Sequence, residues 1–280
     1  MRWDTLDDES QTANDTESHN IRETYDEERT PIEETRTMNY SRLLNTVIQA
    51  TRSITESRIV KWGTLLAGVA SIVLIFGVAS DVMYGIEHGA NLLAYYHIAL
   101  AWVAAVALTT TFLGSLLHLQ FRGRYWNRVA HSSAELGFVF ATLTLITGSM
   151  WAQVIWNAWW VWTDIRLVSF LIVWFVYAGY LIVYASTERG PDEQYAAIYG
   201  VVGFLTVPLS YASTKLWVPT FHRTTLGNPE VNATIDPLAL TTSLLAMSLF
   251  YLYVVGIRVR VHEVEDKIQY RANSSSERPR

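Results

Sequence analysis

Apolar residues are segregated along this chain rather than alternating within it. Positions 1–61 are mostly polar, and six long apolar stretches follow with short polar breaks between them. The stretches cover Trp62–Ser80, a segment within Asn91–Phe121, about Leu136–Ala158, Leu167–Ser186, Gln194–Thr214 and Pro237–Ile257. A helix needs roughly 20 apolar residues to cross the hydrocarbon core of a bilayer, and each stretch supplies about that many. None holds Lys, Arg, Asp or Glu in its interior, and Glu135 stands at the start of the third. The pattern predicts an all-α, polytopic membrane protein with six transmembrane helices.

Orientation follows from the distribution of Lys and Arg in short loops. Arg52, Arg58 and Lys61 precede the first span, Arg122, Arg124 and Arg128 lie between the second and third, and Arg258, Arg260 and Lys267 follow the sixth. Arg189 adds to the same side, whereas the other side carries Arg166, Lys215 and Arg223. Both termini are therefore expected in the cytoplasm, with loops 81–92, about 156–166 and 215–236 facing outward. Residues 1–39 form an acidic tail with too little apolar surface to fold. Residues 40–61 set Leu44, Val47, Ile48, Thr51 and Ile54 on one helical face with cations around it, which predicts an amphipathic interfacial helix. The six-helix domain then covers 62–258 and includes a Trp-rich outer loop at about 151–166. Residues 259–280 read as a loose cytoplasmic tail. The first apolar run begins at Trp62 and reads as a retained span rather than a signal peptide.

Composition narrows the chemistry. Half of the 280 residues are hydrophobic and 17% are charged, which excludes an ordinary soluble domain. The chain has no cysteine, so it offers no disulfide, thiolate metal site or covalent haem attachment. A net charge of -5 argues against a nucleic-acid partner. Eleven tryptophans are many for this length, and Trp151, Trp156, Trp159, Trp160 and Trp162 fall within twelve positions. An aromatic belt at the membrane surface would spread its rings over many helix ends. If helical, Trp156, Trp159 and Trp160 would share one face and offer a flat, polarizable platform for a planar ligand such as a porphyrin.

Two of the seven histidines lie on the outward side near that loop. If the last 20 or so residues before Arg122 span the bilayer, His97 emerges at the outer interface, and His222 lies in the third outer loop. Paired imidazoles are the simplest axial ligation for haem iron. His88 reads as a solvated loop residue, His19 and His262 as tail residues, and His118 and His131 flank the basic inner turn. No histidine falls near the midplane of a span, which disfavours a haem relay across the bilayer.

The segment Ser133–Ser169, SAELGFVFATLTLITGSMWAQVIWNAWWVWTDIRLVS, resembles the tryptophan-rich "WWD" signature of haem-handling membrane proteins of cytochrome c maturation. Six spans and the run Ser-Ala-Glu-Leu-Gly before the third resemble one branch, the haem exporter protein C (CcmC) family. The resemblance extends from about Trp62 to Ile257. His97 in Tyr-Tyr-His-Ile-Ala-Leu-Ala-Trp and His222 in Trp-Val-Pro-Thr-Phe-His are similar to the family's two outward histidines. Three positions depart from its pattern: Thr163 separates Trp162 from Asp164, Asn157 replaces a Gly, and Ala99 replaces a Pro.

The resemblance implies a protein of the cell membrane that binds b-type haem on its extracytoplasmic side and presents it to a haem chaperone. His97 and His222 would be the axial ligands of haem iron. Trp151, Trp156, Trp159, Trp160 and Trp162 would pack the macrocycle, and Arg166 and Arg223 could pair with its propionates. Asp164 orients that loop or a ligand, or caps the fourth helix, and Glu135 reads as a packing or capping residue outside the haem site. Implied partners are a membrane-anchored haem chaperone (CcmE-like) and an ABC-type ATPase with its membrane subunit (CcmA- and CcmB-like). A small single-span subunit (CcmD-like) is a further candidate. No nucleophile, base or resident metal marks an enzyme. The alternatives are a haem–cytochrome c synthase sharing the WWD motif and a haem-translocating subunit, the latter calling for polar groups at the midplane that are few here.

Overall fold

The computed structural model describes residues 42, 45–77, 88–187, 193–217 and 235–276, with helix as the only regular secondary structure among them. The chain divides into a unit of Met1–Arg52 and a unit of Ser53–Arg280. In the first, the described residues are helical, and the Thr46 and Thr51 hydroxyls donate to the carbonyls of Arg42 and Val47. The second contains α1 (Arg58–Gly77), α2 (His88–Phe121), α3 (Arg124–Trp156), α4 (Ile165–Ser186), α5 (Glu193–Gly203), α6 (Thr206–Leu216) and α7 (Pro237–Ser276). Six segments are long and apolar enough to cross a membrane, with α5 and α6 together supplying the fifth. On α1, Ile59, Leu66 and Val73 follow one another at seven-residue intervals, each more than half exposed, a face suited to lipid as solvent.

The interiors are held by small residues and short polar contacts. α2 and α3 form an antiparallel hairpin whose register runs from His97 opposite Gly148, through Leu108 opposite Gly137, to Gly114 opposite Ala130. A methyl on Gly114 would come within 3.0 Å of the Ala130 backbone nitrogen, so glycine sets the spacing there, as small residues do between membrane helices. The hairpin turns on two residues. Arg122 adopts φ 53°, its amide donates to the His118 carbonyl at 2.8 Å, and His118 Nδ1 lies 3.2 Å from the Gly123 carbonyl. Ser71 meets Ser243 between α1 and α7, Trp174 donates to Thr142 between α4 and α3, and Ser169 meets Ser210 and Ser213 between α4 and α6.

Four boundaries differ from the sequence expectations. The chain breaks at Glu56–Ser57 and α1 starts at Arg58, so the stretch expected as one interfacial helix over 40–61 is divided. The fifth span is interrupted between α5 and α6 because Pro208 has no N–H to give the Phe204 carbonyl. Val207 takes that carbonyl instead, at 2.9 Å. The C-terminal segment is not loose as far as Ser276, because α7 continues without a break through the polar residues after Ile257. Arg128 donates to Asp266 at 2.9 Å and Arg258 to Glu135 at 2.6 Å, tying that extension to α3. Finally, α3 ends at Trp156, so Trp159 and Trp160 do not continue a helical face with it.

Candidate functional site

The end of the hairpin away from the Arg122–Gly123 turn carries the candidate site. His97 stands 24 residues before the end of α2, which is about 36 Å along the helix axis and beyond the roughly 30 Å of a hydrocarbon core. Across the hairpin, His97 Nδ1 lies 3.1 Å from the Thr147 hydroxyl oxygen. That hydroxyl points its single proton at helix carbonyls, Leu143 at 2.8 Å and Thr144 at 3.3 Å. With that proton on a carbonyl, its oxygen is free to accept from His97, the arrangement that favours an imidazole protonated on Nδ1. The lone pair is left on Nε2, the nitrogen a metal ligand would use.

The floor under the ring is Gly148. A methyl group there would lie 2.8 Å from His97 Cε1, so the ring packs flush against bare helix backbone. Trp151, one turn beyond Thr147, has its ring centre 6.0 Å from that of His97, and Trp156 continues the series at 6.3 Å from Trp151. Trp160 and Trp162 form a second pair, 5.8 Å apart and close to edge-on. Trp159 and Trp162 are exposed, at 61% and 72%. The indole N–H groups of Trp151 and Trp160 are buried with no hydrogen-bond partner among the described residues, a costly condition for polar groups.

The loop is built by two local devices. Asn157 ends α3 in the left-handed conformation, φ 53° and ψ 33°, which glycine adopts freely and asparagine tolerates best among the others. The replacement of the family's Gly by Asn is therefore conservative in backbone terms. At the other end Asp164, fully buried, accepts from the amides of Arg166 and Leu167 at 3.1 and 3.3 Å and so caps α4. Of the roles weighed for Asp164, the cap is the one seen. Thr163 falls in a turn, so its insertion does not rotate a helix. Arg166 lies half-buried in the first turn of α4.

The structure thus brings together His97, Trp151 and Trp156, with Trp160 and Trp162 as a separate pair. His222 and Arg223 lie outside the described residues. Thr147 and Gly148 were not singled out from the sequence. Their signal was the spacing Thr147-x-x-x-Trp151, one helical turn, which puts both on the face that meets α2. Glu135 is at the opposite end of α3, as expected of a residue outside this site. It pairs with Arg258 and His262 rather than capping a helix.

Comparison with known proteins gives this geometry a family. The profile of Heme exporter protein C matches residues 44–276. The chain is 30% identical over 178 residues to a ccmC-like mitochondrial protein of cytochrome c biosynthesis from Arabidopsis thaliana, covering 63% of this chain and 65% of that one. It is 30% identical over 148 residues to Heme exporter protein C of Escherichia coli K12, covering 51% and 58%. Against Heme exporter protein C of Paracoccus denitrificans it is 29% identical over 216 residues, covering 74% and 87%. The chain thus spans less than two thirds of the length of the first two relatives. The match across most of this sequence is to one family, and the chain belongs to the Heme exporter protein C (CcmC) family.

Proposed function

We propose that this protein handles haem for cytochrome c maturation, holding it as cargo at the His97 end of the bundle and presenting it to a haem chaperone. The observation that carries the reading is the seat of His97 against Thr147 and Gly148 beside a row of indoles, which suits a tautomer with Nε2 as the ligand nitrogen. The donor set fits an iron porphyrin. An imidazole nitrogen suits the iron, flat indole faces suit the macrocycle, and Arg166 suits a propionate. The two unpartnered indole N–H groups are a further sign that this surface is completed by something bound.

In this reading His97 and His222 are the two axial ligands of b-type haem. Trp151, Trp156, Trp159, Trp160 and Trp162 hold the ring, Arg166 and Arg223 face the propionates, and Asp164 shapes the loop by capping α4. The bound iron porphyrin is carried, not transformed, so the protein is not an enzyme. Energy for release comes from an ABC-type ATPase and its membrane subunit, with a CcmD-like subunit as a further partner. The protein resides in the plasma membrane with both termini in the cytoplasm and the His97 end outside, in line with the inner Lys and Arg bias.

Purification from haem-replete membranes tests the reading. Wild type should carry a b-type absorption spectrum, weakened in His97→Ala, His222→Ala and the Trp159→Ala/Trp160→Ala double variant. A haem-free wild type, or a spectrum indifferent to both histidines, overturns it.

A further inference from the structure

At the other end of the bundle, about 18–24 Å along α3 from Thr147, three side chains converge that the haem reading does not use. His131 and Glu135 stand one turn apart on α3, and His262 comes from the extension of α7. His131 Nε2 lies 3.5 Å from Glu135 Oε1, and His262 Nε2 lies 3.3 Å from Glu135 Oε2. One ligand atom from each residue falls within 4.8 Å of the other two. The group borders a cavity of about 510 Å³ that Arg124, Tyr184 and Thr187 also line. We propose that His131, Glu135 and His262 bind one first-row divalent transition-metal ion, of the zinc or ferrous class, with its remaining coordination facing that cavity.

Two features point to an ion rather than to an ordinary ion pair. The His131 ring is held in place by parallel stacking on Tyr184 at 3.5 Å, with its Nε2 on the Glu135 side. His262 has the outer partner that metal-bound histidines usually have, because Glu265 lies 3.1 Å from its Nδ1. A carboxylate in that place would hold the proton on Nδ1 once an ion took the Nε2 lone pair. The two ring centres are 5.0 Å apart, close to the roughly 5 Å expected of two imidazoles on one tetrahedral ion with metal–nitrogen bonds of about 2 Å. A porphyrin between the rings would hold them farther apart.

Two imidazoles and a carboxylate are a donor set that zinc and ferrous iron accept, whereas calcium and magnesium prefer oxygen alone. Arg258 also contacts Glu135, with N···O distances of 2.6, 2.7 and 3.0 Å. A carboxylate offers about four lone-pair positions, so a guanidinium and an ion can share it. The ion would clamp α7 to α3 at the end of the bundle assigned to the cytoplasm, a role independent of the haem site.

The test uses the untagged full chain in detergent, dialysed against zinc chloride and then assayed for bound metal. Wild type and His97→Ala should each retain one equivalent, while His262→Gln and His131→Gln should bind at least tenfold more weakly. Glu265→Gln should lose about tenfold, as outer partners of metal ligands do. Cobalt(II) added to the wild type provides a readout that needs no variant, since four-coordinate cobalt bound by histidine gives a visible d–d absorption. Absence of a stoichiometric equivalent and of that absorption overturns the proposal. So does zinc binding equally strong in the histidine variants when their helical circular dichroism matches wild type, which marks adventitious metal. The haem spectrum is read separately, so neither result touches the haem reading.

Discussion

His97 Nδ1 lies 3.1 Å from the hydroxyl oxygen of Thr147, and that hydroxyl spends its own proton on the Leu143 carbonyl 2.8 Å away. The Thr147 hydroxyl thereby favours an imidazole protonated on Nδ1, with Nε2 as the nitrogen left for a ligand bond. The bond crosses from α2 to α3, so the hairpin register sets the chemistry of the site.

Thr147→Val keeps the shape and removes the acceptor. Haem content per protein is expected to fall about tenfold, in the range seen when the outer partner of a metal-bound histidine is lost, and Thr147→Ser should restore it. The haem-to-protein ratio of the purified variants checks this. Full occupancy in the valine variant would mean that His97 needs no orientation from α3.

Gly148→Ala separates packing from helix stability. Alanine in a helix interior is ordinarily better than glycine by up to about 1 kcal/mol, so thermal stability should hold or rise. The new methyl, 2.8 Å from His97 Cε1, should nonetheless displace the ring and shift or weaken the haem absorption. A more stable protein with an unaltered spectrum would show that the ring does not need this seat.

Asp164 provides a contrast, because its visible work is structural. Asp164→Ala should cost about 1 kcal/mol or more through loss of the cap, read as a lower unfolding temperature. Asp164→Asn, which caps equally well, should keep both stability and the haem spectrum. A haem spectrum changed in the asparagine variant would show that its charge acts on the cargo.

The six spans were legible because their signal is local: about 20 apolar residues in a row mark a span whatever it packs against. Counting back from Arg122 separates His97 from the basic turn by about one span, and the structure sets it there beside Trp151. The boundaries that depend on long-range partners were not legible. The extension of α7 is mostly polar, and its contacts Arg128–Asp266 and Arg258–Glu135 join residues more than a hundred positions apart. Nor was the end of the tryptophan face visible, because Asn157 gives a stop signal weaker than glycine and the indoles on either side suit a helix equally well. Thr147 and Gly148 acquire meaning only once α2 and α3 are set in register. The Glu135 cluster stayed hidden because His262 reads as a tail residue until α7 carries it to α3.

The most direct test of the central claim is the absorption spectrum of His97→Gly, recorded with and without added imidazole. Ligation by His97 predicts loss or weakening of the b-type spectrum in the variant and its return when free imidazole fills the space left beside Gly148 and Thr147. A variant whose spectrum matches wild type without imidazole would contradict ligation by His97, and the tryptophan loop would then be a membrane-surface belt or a docking surface for another protein.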